Sequence, residues 1–161
     1  MNSLRARLFA PLVSLTFVAA GFAAPASDGF KAIFNGRDLT DWAGLPAFWS
    51  VKDGAIVGRT TAETPLKTNT FLVYQAGEPA NFELHATFRL TGQNDKGFAN
   101  SGIQYRSRVV DAAGFVLAGY QADMDLAGKY TGMLYEEKGR GILMSPGEKI
   151  RVGATAVDAA P

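Results

Sequence analysis

The chain has 161 residues, 16 basic and 15 acidic side chains, a formal charge of +1, and 47% apolar residues. That length suits one domain, the charge balance supplies no field to concentrate nucleic acid, and the apolar content argues against a disordered chain. Cysteine is absent, which excludes a disulfide scaffold, a thiolate zinc site and a cysteine nucleophile.

The first predicted element is a targeting segment. Arg5 and Arg7 precede an uncharged stretch from Leu8 to Ala26, and Ala24-Pro25-Ala26 offers a small-residue exit, with Gly21-Phe22-Ala23 as second choice. A positive start, an apolar centre and an A-x-A exit are the parts of a secretory signal peptide. Residues 1–26 are therefore read as that peptide, and residues 27–161 as an exported domain, periplasmic or secreted. Removing the peptide leaves fourteen basic against fifteen acidic side chains, so the weak basicity belongs to the targeting segment. No later stretch approaches the ~20 apolar residues of a membrane helix.

Beyond residue 27 the apolar period is 2. Phe30–Phe34 leads into the turn Asn35-Gly36. Phe48–Val51 and Ala55–Gly58 are joined by Asp53-Gly54, a hairpin dipeptide because both positions tolerate positive φ. Thr70–Tyr74 runs into the breaker Gly77-Glu78-Pro79. Phe82–Leu90 is the clearest strand: Phe82, Leu84, Ala86, Phe88 and Leu90 alternate with Glu83, His85, Thr87 and Arg89. Gly102–Arg108, Gly119–Asp125, Thr131–Glu137 and Lys149–Val157 complete the series. Short strands with 18 Gly and 7 Pro spread through the chain predict an all-β, antiparallel sandwich or barrel. No amphipathic segment is long enough to serve as a crossover helix, which argues against a parallel α/β fold.

Strand alternation sorts side chains by face. If Ile103, Tyr105, Tyr120, Ala122 and Met124 face the core, the opposite face collects Gln104, Arg106, Gln121, Asp123 and Asp125. In Thr131–Glu137 the parity is ambiguous, so either Glu136 or Glu137 joins that cluster. His85, the lone histidine, falls on a polar strand face and is expected in solvent, while Trp42, Phe48 and Trp49 are expected in the core.

Several segments resemble one family in order and spacing. Gly29-Phe30-Lys31-Ala32-Ile33-Phe34-Asn35-Gly36-Arg37-Asp38-Leu39-Thr40-Asp41-Trp42 is similar to its opening F-x-x-L-F-N-G-K-D-L-x-x-W. Trp49-Ser50-Val51-Lys52-Asp53-Gly54 through Gly58, Phe82-Glu83-Leu84 through Leu90, and Asn100-Ser101-Gly102-Ile103-Gln104-Tyr105-Arg106 resemble its next three motifs. Gly119–Asp123 and Thr131–Glu136 resemble its later strands. The family is the 3-keto-disaccharide hydrolase domain, and the resemblance implies a concanavalin A-like two-sheet jelly roll. Family domains continue into a W-N-x-y-x-I-x-a-x-G segment and an l-N-G turn, which residues 149–161 do not match. The expectation is thus a partial domain that lacks its closing strands.

The implied activity is cleavage of the glycosidic bond of a 3-keto-disaccharide or related oxidised glycoside. The alternatives are a non-catalytic carbohydrate-binding module on the same scaffold, or an inactive truncated remnant. A ketone at C3 acidifies the C2 proton, so a base can remove it and expel the C1 group, with water added afterwards. That route needs a base, an acid for the leaving oxygen and a donor at the enolate oxygen. The expected roles are Asp123 as base, Glu136 as acid and Arg106 as enolate stabiliser. Asn100, Gln104, Tyr120, Gln121, Asp125 and Tyr135 are expected to hold the sugar through hydrogen bonds and stacking. No cofactor is expected. Asp123 with Asp125 is the carboxylate pair that a hard divalent cation such as Ca²⁺ would use, and two acids at i, i+2 are weak support for one. The expected partner is a small carbohydrate, with no nucleic acid and no membrane after signal cleavage.

Overall fold

The computed structural model describes residues 29–92, 94, 96–153 and 157–159. The signal-peptide reading of residues 1–26 lies outside them. The described residues are all-β, with ten strands and antiparallel pairing throughout. β1 (Trp42–Ala43) pairs with β4 (Val73–Tyr74), and β2 (Trp49–Lys52) with β3 (Ala55–Gly58). β5 (Asn100–Asp111), β6 (Val116–Asp125), β7 (Leu134–Glu137) and β8 (Gly141–Met144) form a four-stranded meander in sequence order. β9 (Ile150–Val152) and β10 (Val157–Ala159) make a final two-stranded pair.

The β2–β3 hairpin turns where the sequence predicts it, with Asp53 and Gly54 both at positive φ (50° and 76°). The first expected strand, Phe30–Phe34, is irregular instead. Asn35 takes over locally: its Oδ1 accepts the N–H groups of Arg37 (2.8 Å) and Asp38 (3.0 Å), and Trp42 anchors the segment by donating Nε1–H to Ile33 O at 2.9 Å. An Asx turn of this kind competes with a ladder for the same backbone donors. The Asp38 carboxylate closes the turn. Hydrogen bonds from the Thr40 hydroxyl, the Asn35 amide and the Thr40 N–H hold its pKa at about 2, against an ordinary 3.8. A depressed native pKa contributes stability above the ordinary value, and that contribution is lost as pH falls towards 2. Asp38→Asn is therefore expected to flatten the decline of Tm between about pH 4 and pH 2, as thermal melts across that window will show.

The largest departure concerns Phe82–Leu90. Its alternation is perfect, yet the segment enters no strand and makes no backbone hydrogen bond among the described residues. Alternation states that one face prefers burial. It does not supply a neighbouring strand, and β structure requires one.

The meander positions everything that follows. β5 carries a bulge in which Arg106 and Ser107 together oppose Gly119, and Arg106 takes a left-handed φ of 47°. The buried apolar residues gather around the start of β6 (Val116, Leu117, Ala118) with Phe71, Met124, Met133 and Leu143, each at 6–9% exposure. Segment 69–71 crosses the β5–β6 hairpin: Phe71 N–H donates to Phe115 O (3.0 Å) and the Thr70 hydroxyl to Gly114 O (2.7 Å). Trp49 packs against glycines, since a Cβ on Gly58 would lie 2.6 Å from its ring.

Candidate functional site

Register decides which side chains share a face. In the β5–β6 ladder Gln104 opposes Gln121, Gly102 opposes Asp123 and Asn100 opposes Asp125. In β6–β7, Gly119 opposes Glu137, Tyr120 opposes Glu136 and Gln121 opposes Tyr135. Directly opposed residues point to the same side. One face therefore carries Gln104, Gln121, Asp123, Glu137 and Tyr135. The other carries Ile103, Tyr105, Tyr120, Ala122, Leu134 and Glu136.

Cover does not follow polarity as expected: Met124 on the apolar face is buried at 7% exposure, but the polar face is buried too. Gln121 and Glu137 are buried at 9% and 6% exposure, while Ala122 on the opposite face is exposed. Polar groups tolerate such burial when they satisfy one another. The Gln121 amide donates to the Asp123 carboxylate, and Asn69 Nδ2 donates to Glu137 Oε2 at 2.8 Å. The Gln121 stem lies on bare backbone, because a Cβ at Gly102 would sit 2.5 Å from both Gln121 Cγ and Cδ. Gly102→Ala is accordingly expected to displace Gln121 and to destabilise the fold by about 1–3 kcal/mol, as a thermal melt will show.

The amide of Gln104 is different. Its Nε2 and Oε1 are both buried and have no hydrogen-bond partner. A buried amide without partners costs free energy unless something meets it. It stands next to the Gln121–Asp123 pair, ready for a ligand oxygen.

Burial is also the first cause of the raised pKa of Asp123. The Gln121 hydrogen bond pulls the other way, and the negative charges of Glu137 and Asp125 push it up further. A carboxylate kept reluctant to ionise is a stronger base once ionised. Glu136 and Glu137 both border a cleft of about 510 Å³ with Arg106, Arg108, Tyr120 and Lys138, which is on the scale of small-molecule sites.

Of the expected trio, Arg106 and Glu136 border that cleft, and Asp123 does not. Glu136 lies on the opposite face from Asp123 and is held by Arg140, whose Nε donates to its Oε2 at 2.5 Å and whose N–H donates at 3.0 Å. Those bonds lower the Glu136 pKa, so it stays ionised and has no proton to give. Arg106 is turned away by the bulge: its Nη2 donates to Ala80 O at 3.1 Å, and it reaches the Glu137 cleft rather than Asp123. Tyr120 also faces away from Asp123, against Tyr105 (ring centroids 5.9 Å) and Arg140 Nη2 (3.4 Å).

Asp125 is occupied by the chain itself. Its Oδ1 accepts the N–H groups of Tyr130 (2.7 Å) and Thr131 (2.9 Å), and its Oδ2 accepts that of Lys129 (3.1 Å). Burial raises its pKa, but these donors together outweigh burial and leave it lowered. It is a loop anchor, and the Asp123–Asp125 pair does not present itself to a cation. Among the described residues no group of three or more His, Cys, Asp or Glu could hold a metal ion. Asn100 is exposed at the far end of the same face, and Tyr135 flanks Gln121 there. His85 is exposed as expected, bonded to Glu83 at 2.7 Å and stacked on Phe30. Asn69 was missed, because it sits in a segment with no periodicity and reaches Glu137 from 68 positions away.

Residues 29–158 match the family model of the 3-keto-alpha-glucoside-1,2-lyase-like domain. The chain belongs to this family. No curated protein and no solved structure matches it. The match spans the segments from Phe30 to Glu136 whose motifs resemble the 3-keto-disaccharide hydrolase domain, and it gives the polar face of the meander a carbohydrate context.

Proposed function

We propose that this member of the 3-keto-glucoside lyase-like family cleaves the glycosidic bond of a 3-keto-α-glucoside by elimination across C1 and C2. Asp123 takes the C2 proton, made acidic by the adjacent ketone, and the electron pair of that C–H bond forms an enolate. The enolate collapses, the C1–O bond breaks with its electrons leaving on the glycosidic oxygen, and Glu137, after taking up a proton from solvent, passes it to that oxygen. Water added later across the new double bond would give net hydrolysis. The Gln104 amide donates to the enolate oxygen, in place of the Arg106 expected from sequence.

The single observation that carries this reading is the unpartnered, buried Gln104 amide beside a half-buried carboxylate of raised pKa. Tyr135 and Gln121 complete a sugar-sized polar surface. The scaffold is proposed to be the two-sheet jelly roll that the motifs suggest. Its place of action is proposed to be outside the cytoplasm, after removal of residues 1–26.

The test compares a 3-keto-α-glucoside with its unoxidised parent. Leaving-group release from the keto form alone, with a primary isotope effect from deuterium at C2, supports the elimination. Saturable binding of both sugars without turnover would make the domain a carbohydrate-binding module and end this reading.

A further inference from the structure

Residues 68–71 are a strap laid from the β5–β6 turn to the end of β7. The Thr70 hydroxyl donates to Gly114 O (2.7 Å) and the Phe71 N–H to Phe115 O (3.0 Å), with Phe71 buried at 9% exposure. At the other end, Lys138 Nζ donates to the Thr68 hydroxyl at 3.3 Å. Asn69 lies between these ties, and its Nδ2 donates to Glu137 Oε2 at 2.8 Å. Among the described residues no other donor meets that carboxylate. The two partners differ in cover: Glu137 is buried, whereas Asn69 is exposed. An exposed side chain adds little to packing, while a buried carboxylate needs a donor, so what Asn69 contributes it contributes through Glu137.

We propose that Asn69 is a positioning residue for Glu137, holding the carboxyl by Oε2 and leaving Oε1 to take up and deliver the proton. This rests on the reading of Glu137 as the acid for the glycosidic oxygen. An amide N–H draws electron density from the oxygen it meets, so the other oxygen is the more basic and receives the proton. The bond also fixes the carboxyl plane. The last torsion of a Glu side chain is broad and roughly two-fold, and without the amide the carboxyl turns freely about it. Proton delivery needs the donor oxygen within hydrogen-bond reach of the leaving oxygen, so a wandering carboxyl delivers less often. The proton passes from Oε1 to the leaving oxygen, its bonding electrons stay on Glu137, and the same amide then serves the carboxylate so formed.

The experiment is a double-mutant cycle on the purified chain: wild type, Asn69→Ala, Glu137→Gln and the two combined. Each is assayed on a 3-keto-α-glucoside with an alkyl leaving group and on one that releases a nitrophenolate. Asn69→Ala is expected to lower kcat on the alkyl glucoside by about tenfold, with KM within about twofold, and to lower it by less than about threefold on the nitrophenyl one. Added to Glu137→Gln, the same change should cost less than about twofold, because the acid it serves is gone. Asn69 is exposed, so the substitution leaves folding intact, and near-UV circular dichroism verifies it. A role in stability alone would cost both substrates equally and would add in full to Glu137→Gln. Either result overturns the proposal, as does an Asn69→Ala enzyme with wild-type kcat on the alkyl glucoside. If instead Glu137→Gln itself shows no dependence on leaving group, Glu137 is not the acid, and the proposed function loses that step together with this inference.

Discussion

Asp123→Asn is expected to reduce turnover of a 3-keto-α-glucoside by a hundredfold or more, on the order of what a positioned general base contributes, without lowering Tm. Activity falls because the amide cannot accept the C2 proton. Stability holds for a separate reason. Burial raises the native pKa of Asp123, so its ionised form opposes folding at neutral pH, and the stability associated with its proton is lost as pH rises through that raised value. An uncharged Asn removes the penalty and still accepts the Gln121 amide through Oδ1. The same shift predicts a kcat/KM profile whose acid limb lies above the ordinary carboxylate range, since protonation of Asp123 removes the base. A variant with normal turnover would clear Asp123 of any role in the chemistry. A variant that loses both activity and Tm would mark it as structural.

Glu137→Gln should separate substrates by their leaving groups. With a sugar or alkyl alcohol, departure needs a proton, and the loss is expected to be about a hundredfold. With a nitrophenolate, which leaves unassisted, the rate should stay within about threefold of wild type. Gln preserves the shape and can still accept from Asn69, so the contrast reads chemistry rather than packing. Glu136→Gln is the matched control. It lies across the sheet in a pair with Arg140 and is expected to show no such dependence on leaving group. Equal losses for both leaving groups in Glu137→Gln would remove it as the acid.

Local chemistry was the legible part of this sequence. Asp53-Gly54 announces its hairpin because two adjacent positive φ values demand those residue types. Gln104, Gln121 and Asp123 fall on one face because alternation within regular strands is reliable. Legibility stops where a partner has to be known. Met133, Leu134 and Tyr135 are apolar on both sides, so β7 parity cannot be read until Gly119 is seen opposite Glu137. Arg106 has the right residue type and the right parity, and one left-handed φ redirects it. Asn69 acts through a contact that no spacing encodes. The assumption that apolar means inward failed at Ala122, because interlocking amides and carboxylates can close a face as well as aliphatic groups can.

The bulge in β5 has a consequence for how that strand tolerates change. Tyr105 opposes Tyr120 and Arg108 opposes Ala118, so an odd position before the bulge shares its face with an even position after it. A second shift between Val109 and Asp111 restores the original parity. A saturation-mutagenesis profile along β5 should therefore show a two-residue rhythm that inverts after Arg106 and inverts again before Asp111. Deleting Ser107 would cancel the first inversion and carry Arg108 and Val109 to opposite sides of the sheet, so in this strand a lost residue does more harm than a changed one.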